Sequence, residues 1–235
     1  MSRAPTTIAP QAYKSWRATL LGATTEAIEQ RLILDMMGDL SGLHVLDAGC
    51  GDGALVCAAA LRGALVTGID PDPAMLSAAL SRAVEAGIPA TFLQGRVERL
   101  PFPDASFDVV ASITVLCFVP DAAGAVREMA RVLRPGGRLV LGELGRWSTW
   151  AAIRRLRGWL GSPTWQAARF RTAKELCALA GQAGLYVTAV RGGVYYPPTG
   201  LLARALAPLD HCLGGITSFG AAFIALCAIN RPRTQ

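Results

Sequence analysis

The sequence predicts an α/β fold, a Rossmann-like, doubly wound and mostly parallel sheet with helices on both faces. Three observations carry this expectation. Apolar strand-like runs alternate with helical segments across residues 43–145, joined by short connections, the pattern of a parallel sheet covered on both sides. The first run, SGLHVLDAGCGDG, ends in Gly49, Gly51 and Gly53. The second, ALVTGID, ends in a carboxylate, Asp70, 19 residues after Gly51.

The elements follow in order. Residues 1 to about 10 read as a loose arm. Residues 11–38 read as one helix, because Ile28, Leu32 and Met36 recur every four positions. The first strand and its glycine turn lead into the helix DGALVCAAALRG. The helix PDPAMLSAALSRAVEAG follows the second strand, with Asp72 as N-cap and Pro73 at its first position. ATFLQGR is a third strand. FDVVASITVLCFV is a fourth, too apolar to have a wet face. DAAGAVREMARVL is a helix stopped by Arg134-Pro135-Gly136-Gly137, and GRLVLGELG is a fifth strand. After Gly145 the alternation breaks into a Trp/Arg segment. The helix TAKELCALAGQAG follows, then closing strands LYVTAVRGGVYY and FGAAFIALCAI, with LLARALAPLD as a short helix between them.

Composition bounds the function. The chain has 235 residues, 52% hydrophobic and 17% charged, enough for one sizeable core and against broad disorder. The net charge of +6 comes almost wholly from arginine, the lysines being Lys14 and Lys174. That balance admits acidic substrates, anionic membrane surfaces or nucleic acid and selects none. Cys50, Cys57, Cys117, Cys177, Cys212 and Cys227 include no CxxC pair and no zinc-ligand spacing. No metal is expected, and the setting expected is reduced and cytoplasmic. The first sixteen residues contain no apolar signal core.

The glycine turn carries the cofactor expectation. Closely spaced glycines let backbone approach a ligand, and a carboxylate closing the next strand can accept both hydroxyls of a ribose. The spacing is GxGxG rather than GxGxxG, and Asp47 precedes it. That charge would repel a pyrophosphate and attract an ammonium. VLDAGCGDG, GIDPDPAML, QGRVERLPFPDASFD and RVLRPGGRLV, in this order, resemble the successive motifs of class I S-adenosylmethionine-dependent methyltransferases, nearest the UbiE-like or type 11 subgroup of quinone biosynthesis. AYKSWRATLLG resembles the Tyr-x-x-Trp opening of that subgroup.

The resemblance implies a seven-stranded sheet with an antiparallel last strand and S-adenosylmethionine as cofactor, leaving S-adenosylhomocysteine. It implies that Asp47, Gly49 and Gly51 line the methionine part, that Cys50 between them also contacts the cofactor, that Asp70 holds the ribose, and that Pro71 and Met75 lie near the adenine. Ile113 would touch the methionine part through its backbone, and Tyr13 and Trp16 would close over the cofactor. Arg96 and Val97 stand where the family has an acidic residue followed by a small one. Arginine cannot accept the hydrogen bond that acid takes from adenine, so backbone and Val97 must hold the ring or Arg96 must turn outward.

The organisation expected is an arm and helix over the cofactor (1–40), the cofactor core (41–145), a Trp/Arg-rich lid with its helix (146–184) and closing strands of the same domain (185–235). No catalytic residue is assigned beyond His211 as candidate base; His44 precedes the first strand, and Cys117 reads as a core residue. The stretch from Trp147 to Trp165 holds four of the five tryptophans, and no acid lies between Glu143 and Glu175. Trp147, Trp150 and Arg154 share a helical face at three- and four-residue spacing. With Tyr195 they are the candidate substrate contacts. Three readings stay open: a cover for the sheet, a lid recognising an apolar or acidic acceptor, or an interfacial patch on lipid. The expected partner is a small or lipid-like acceptor, with peripheral membrane contact admitted. RNA or protein methylation, and a non-catalytic cofactor-binding protein of this fold, are the alternatives; nucleic acid is disfavoured because the basic residues form one local cluster.

Overall fold

The computed structural model describes residues 10–231; the expected arm lies outside them. Seven strands form one sheet: β1 (His44–Ala48), β2 (Leu65–Asp70), β3 (Thr91–Gln94), β4 (Phe107–Ile113), β5 (Leu133–Leu144), β6 (Tyr186–Gly193) and β7 (Phe223–Ile229). Their order is β3-β2-β1-β4-β5-β7-β6. The pairs within β3-β2-β1-β4-β5 are parallel, and β7 runs antiparallel to both of its neighbours.

Nine helices surround this sheet among the described residues: α1 (Pro10–Arg17), α2 (Leu20–Met37), α3 (Ala54–Ala60), α4 (Pro73–Glu85), α5 (Ala122–Val132), α6 (Thr149–Trp159), α7 (Pro163–Ala167), α8 (Ala173–Gln182) and α9 (Gly200–Ile216). Side chains alternate across the central strands into two cores. Leu46, Val110, Leu139 and Leu141 pack with α5 and α8. Val45, Val109, Ala111 and Val140 pack with α2, α3 and α9.

Three expectations need correction. The single N-terminal helix is two. Thr19 caps α2, accepting from the Gly22 amide at 3.0 Å and donating to the Trp16 carbonyl at 2.7 Å. A Cβ on Gly22 would stand 2.0 Å from the Trp16 oxygen, so the chain can turn back this tightly only with glycine there. The Arg-Pro-Gly-Gly run does not stop α5. Leu133 is already extended, and the run makes an irregularity inside β5, pinned by Gly136 donating to the Asn230 carbonyl and Asn230 to the Gly137 carbonyl. The short helix before β7 is the 17-residue α9, which continues through Pro208 and carries His211.

The corner after β6 ties several elements together. Val194 is buried with φ of 62°, a costly conformation for a β-branched residue. Buried Asp210 of α9 holds it, accepting from the Val194 and Tyr195 amides at 2.7 and 2.8 Å. The next residue, Tyr196, shares a hydrogen bond with Thr25 of α2 and accepts one from Trp150 Nε1 of α6 through its carbonyl. Asp210→Ala strips two amides of their acceptor and releases the strained corner. Urea unfolding is expected to show a loss of about 2–4 kcal/mol.

Candidate active site

A cleft of 690 Å³ opens at the C-terminal ends of β1, β2 and β4, covered by α1, α2 and α6. That volume lies within the roughly 300–1,000 Å³ range of small-molecule sites. Every residue expected at the cofactor lines it: Asp47, Gly49, Cys50, Gly51, Asp70, Pro71, Met75, Arg96, Val97, Ile113, Tyr13 and Trp16.

The glycine turn forms its floor. Gly49 has φ of 89°, and a Cβ there would lie 2.3 Å from Val115 Cγ2. Gly51, with φ of 50°, faces open space. The amides of Gly49 and Cys50 donate to the Ile69 carbonyl. Asp70 accepts from the Gly51 and Asp72 amides, one per carboxylate oxygen, both at 2.9 Å. The carboxylate is thereby aimed, and each oxygen keeps accepting capacity for hydroxyl donors.

Asp47 is only 3% exposed, and among the described residues nothing donates to its carboxylate. Burial raises its pKa to about 7, and the charges of Asp70 and Asp52 add to this. An acid in that state gains most from a cation placed beside it. Burial, together with Asp47 and Asp70, pushes the Cys50 thiol far up, so it stays protonated. Arg96 sits on the cleft and turns to Glu98 at 2.8 Å, leaving buried Val97 on the wall.

Helix α1 forms the roof. Tyr13 and Trp16 meet edge to face at 5.9 Å, and Arg17 stacks on Tyr13 at 4.7 Å. Arg17 also pairs with Glu26 of α2 and with Asp52 of the glycine turn, and Arg82 holds the same Asp52 at 2.7 Å. The roof is thus bonded to the floor.

The remaining wall comes from α6 and α7. Trp150 is buried and lines the cleft, with Ile153, Arg154, Arg157 and Trp165 beside it. The Arg154 guanidinium lies over the rings of both Trp150 and Trp165, at 5.0 and 4.8 Å. Among the described residues no carboxylate reaches ion-pairing distance of it.

Three expected contacts are elsewhere. Trp147 precedes the Ser148 cap of α6 and is 58% exposed, outside the shared helical face. Tyr195 gives its hydroxyl to the Thr217 carbonyl, away from the cleft lining. His211 is exposed on α9, also outside that lining. His44 lies at the opposite end of β1, and Cys117 is buried in a small core with Leu144 and Phe170. Sequence reasoning missed Trp165, Arg17, Glu26 and Glu29. Glu26, Glu29 or Gln30, and Ile33 recur at helical spacing and line the cleft, a face that the apolar row Ile28, Leu32, Met36 obscured.

The Methyltransferase domain family matches residues 46–141. A ubiquinone biosynthesis O-methyltransferase of Methylobacterium sp. (strain 4-46) is 34% identical over 171 residues, covering 71% of this chain and 69% of that protein. The chain belongs to the S-adenosylmethionine-dependent methyltransferases. A second relative of the same description, from Idiomarina loihiensis, is 36% identical, covering 69% of this chain and 70% of its own. A methyltransferase structure from Thermotoga maritima superposes with a TM-score of 0.72 at 22% identity, over 94% of this chain and 95% of that one, and shows the shared fold. As a methyltransferase of this family, the protein uses S-adenosylmethionine as methyl donor. The floor suits that ligand: an orphaned acid for an ammonium, and an aimed acid for ribose hydroxyls. Among the described residues no three metal-ligating side chains converge.

A cationic ligand beside Asp47 must find it ionised. With a pKa of about 7, acid costs affinity, because binding then releases a proton. Calorimetry with S-adenosylmethionine is expected to show affinity rising up to about tenfold per pH unit toward pH 7, then levelling until the ligand's own amine titrates near pH 8. Asp47→Asn should flatten that rise and bind more weakly at pH 7.5.

Proposed function

We propose that the protein transfers the methyl group of S-adenosylmethionine to an oxygen of a small, apolar, ring- or lipid-like acceptor that carries an acidic group. The observation that carries this reading is Arg154, held between two tryptophan faces on the cleft wall with no carboxylate in ion-pairing distance among the described residues. Burial lowers its pKa, and such a guanidinium gains from an incoming carboxylate or phosphate. The tryptophans offer apolar surface for the body of the same molecule. The relatives described as ubiquinone biosynthesis O-methyltransferases support an oxygen acceptor of this kind.

In this reading Asp47 faces the ammonium, Gly49 and Gly51 the methionine chain, and Asp70 the ribose. Pro71, Met75 and Val97 hold the adenine, and the Ile113 backbone lies near the methionine part. Residues 10–40 cover the cofactor through Tyr13 and Trp16, 41–145 bind it, the side chains from Trp150 to Trp165 wall the acceptor, and β6 and β7 close the sheet. The bound cofactor supplies an activated methyl group on a sulfonium. The chain's work is to align the acceptor oxygen and exclude water, an effect worth roughly 7–11 kcal/mol for well-oriented reactants.

A second element concerns where the acceptor comes from. Among the described residues no helix is long and apolar enough to cross a membrane. Trp159 is 85% exposed beside Leu160 and Arg157 at the end of α6, the side-chain mixture of an interfacial contact. We infer peripheral contact there with an anionic bilayer.

Two measurements test these readings. In the presence of S-adenosylhomocysteine, 6-hydroxy-2-naphthoate is expected to bind at least about tenfold more tightly than its methyl ester, a preference that Arg154→Gln abolishes. Equal affinities in the parent protein would sink the acidic acceptor. Vesicles of phosphatidylglycerol and phosphatidylcholine should pellet the parent protein and leave a Trp159→Ser, Arg157→Glu variant in solution; equal pelleting would remove the membrane contact.

A further inference from the structure

Among the described residues the cleft carries six carboxylates: Glu26, Glu29, Asp47, Asp52, Asp70 and Glu98. Four are engaged inside the protein. Glu26 pairs with Arg17, Asp52 with Arg17 and Arg82, and Glu98 with Arg96. Asp70 accepts two backbone amides. The other two receive no hydrogen bond from any described residue. Asp47 lies beneath the glycine turn, where the reading above places the cofactor's ammonium. Glu29 comes from α2, in the part of the cleft shared by Tyr13 of α1 and Arg154 of α6. Neither histidine lines the cleft.

We propose that Glu29 is the catalytic base, taking the proton of the acceptor hydroxyl as the methyl group is transferred. This rests on the reading of a hydroxyl-bearing acidic acceptor whose acid meets Arg154. The C–O bond forms as the methyl–sulfur bond breaks, and that electron pair stays on sulfur as a neutral thioether. The hydroxyl proton passes to the Glu29 carboxylate. One positive and one negative charge disappear together, which a desolvated cleft favours over leaving either unpaired.

The surroundings suit a base rather than a fixed ion pair. The groups facing Glu29 are Arg154 from α6, Arg17 and Tyr13 from α1, Glu26 from its own helix, Asp210 from α9 and Tyr196 from the corner after β6. Burial raises Glu29 to about 7; Arg154 and Arg17 draw it down, while Glu26 and Asp210 push it up. A base of that strength is matched to neutral pH. Tyr13, raised to about 12 chiefly by burial and then by the charge of Glu29, keeps its proton and does not compete for the role.

The test uses the protein with S-adenosylhomocysteine bound and 6-hydroxy-2-naphthoate as probe, whose naphthol and naphtholate forms absorb differently. A carboxylate beside the hydroxyl opposes its ionisation. The bound naphthol is expected to ionise about one pH unit or more higher in the parent than in Glu29→Gln. With S-adenosylmethionine instead, methylation of the probe should be about 10²–10⁴-fold slower in the variant. Equal ionisation or equal rates in the two proteins would overturn the assignment of Glu29 and leave the acidic acceptor standing. A probe that binds neither protein overturns the acidic acceptor, and the base with it. The raised pKa of Glu29 costs stability progressively from about pH 4.5 to about pH 7 and by a constant amount above that, so Glu29→Gln should melt no lower than the parent at pH 8.

Discussion

The architecture depends on a divergence between two neighbouring strands. β1 and β4 lie side by side in parallel, yet the helices that follow them leave to opposite faces. α3 packs with Val45 and Val109, and α5 with Leu46 and Val110. Parallel strands with right-handed crossovers cannot fill the space between such departures, so a crevice opens at their C-terminal ends. The glycine turn is the strand's exit into that space. It is held open by Asp70, whose carboxylate reaches across from β2 to the Gly51 amide. The α1 roof and the wall from α6 and α7 are arranged around this gap.

The crevice is not electrically uniform. Its floor gathers Asp47, Asp52 and Asp70, while its far wall presents Arg154 and Arg157. Arg17 and Arg82 neutralise Asp52 and in doing so bond the α1 roof to the floor. Asp47 receives no such compensation from the described residues, Glu29 is only partly offset by Arg154 and Arg17 without an ion pair, and burial raises the pKa of both to about 7. A cationic methyl donor on one side and an anionic acceptor on the other would complete the charge balance that the polypeptide leaves open.

The glycine-turn floor of the cleft was legible in the sequence because its parts are local. A strand, three glycines and a carboxylate at the end of the next strand occupy 27 positions, from His44 to Asp70, and each follows from backbone conformation or strand length. The wall from α6 and α7 was legible only in character. Trp150 and Arg154 were readable as a helical pair, but Trp147 fell outside the helix because Ser148 caps it. Tyr195 was diverted by its bond to Thr217. Glu29 was hidden in a helix read for its apolar row, and nothing near it in sequence announces Arg154 or Tyr13.

By itself the sequence determined the α/β alternation, the seven strands, the glycine turn and the acid that orients it, because these arise from side-chain periodicity and from backbone conformations only glycine adopts readily. Only the tertiary structure decided which polar groups are left without partners. Whether Glu26 is paired and Glu29 is not depends on Arg17 arriving from α1 and Arg154 from α6. Likewise, Arg154 faces the cleft because Trp150 is anchored to the Tyr196 carbonyl, at a corner held by Asp210. Such outcomes rest on contacts between residues far apart in the chain, and no local pattern records them.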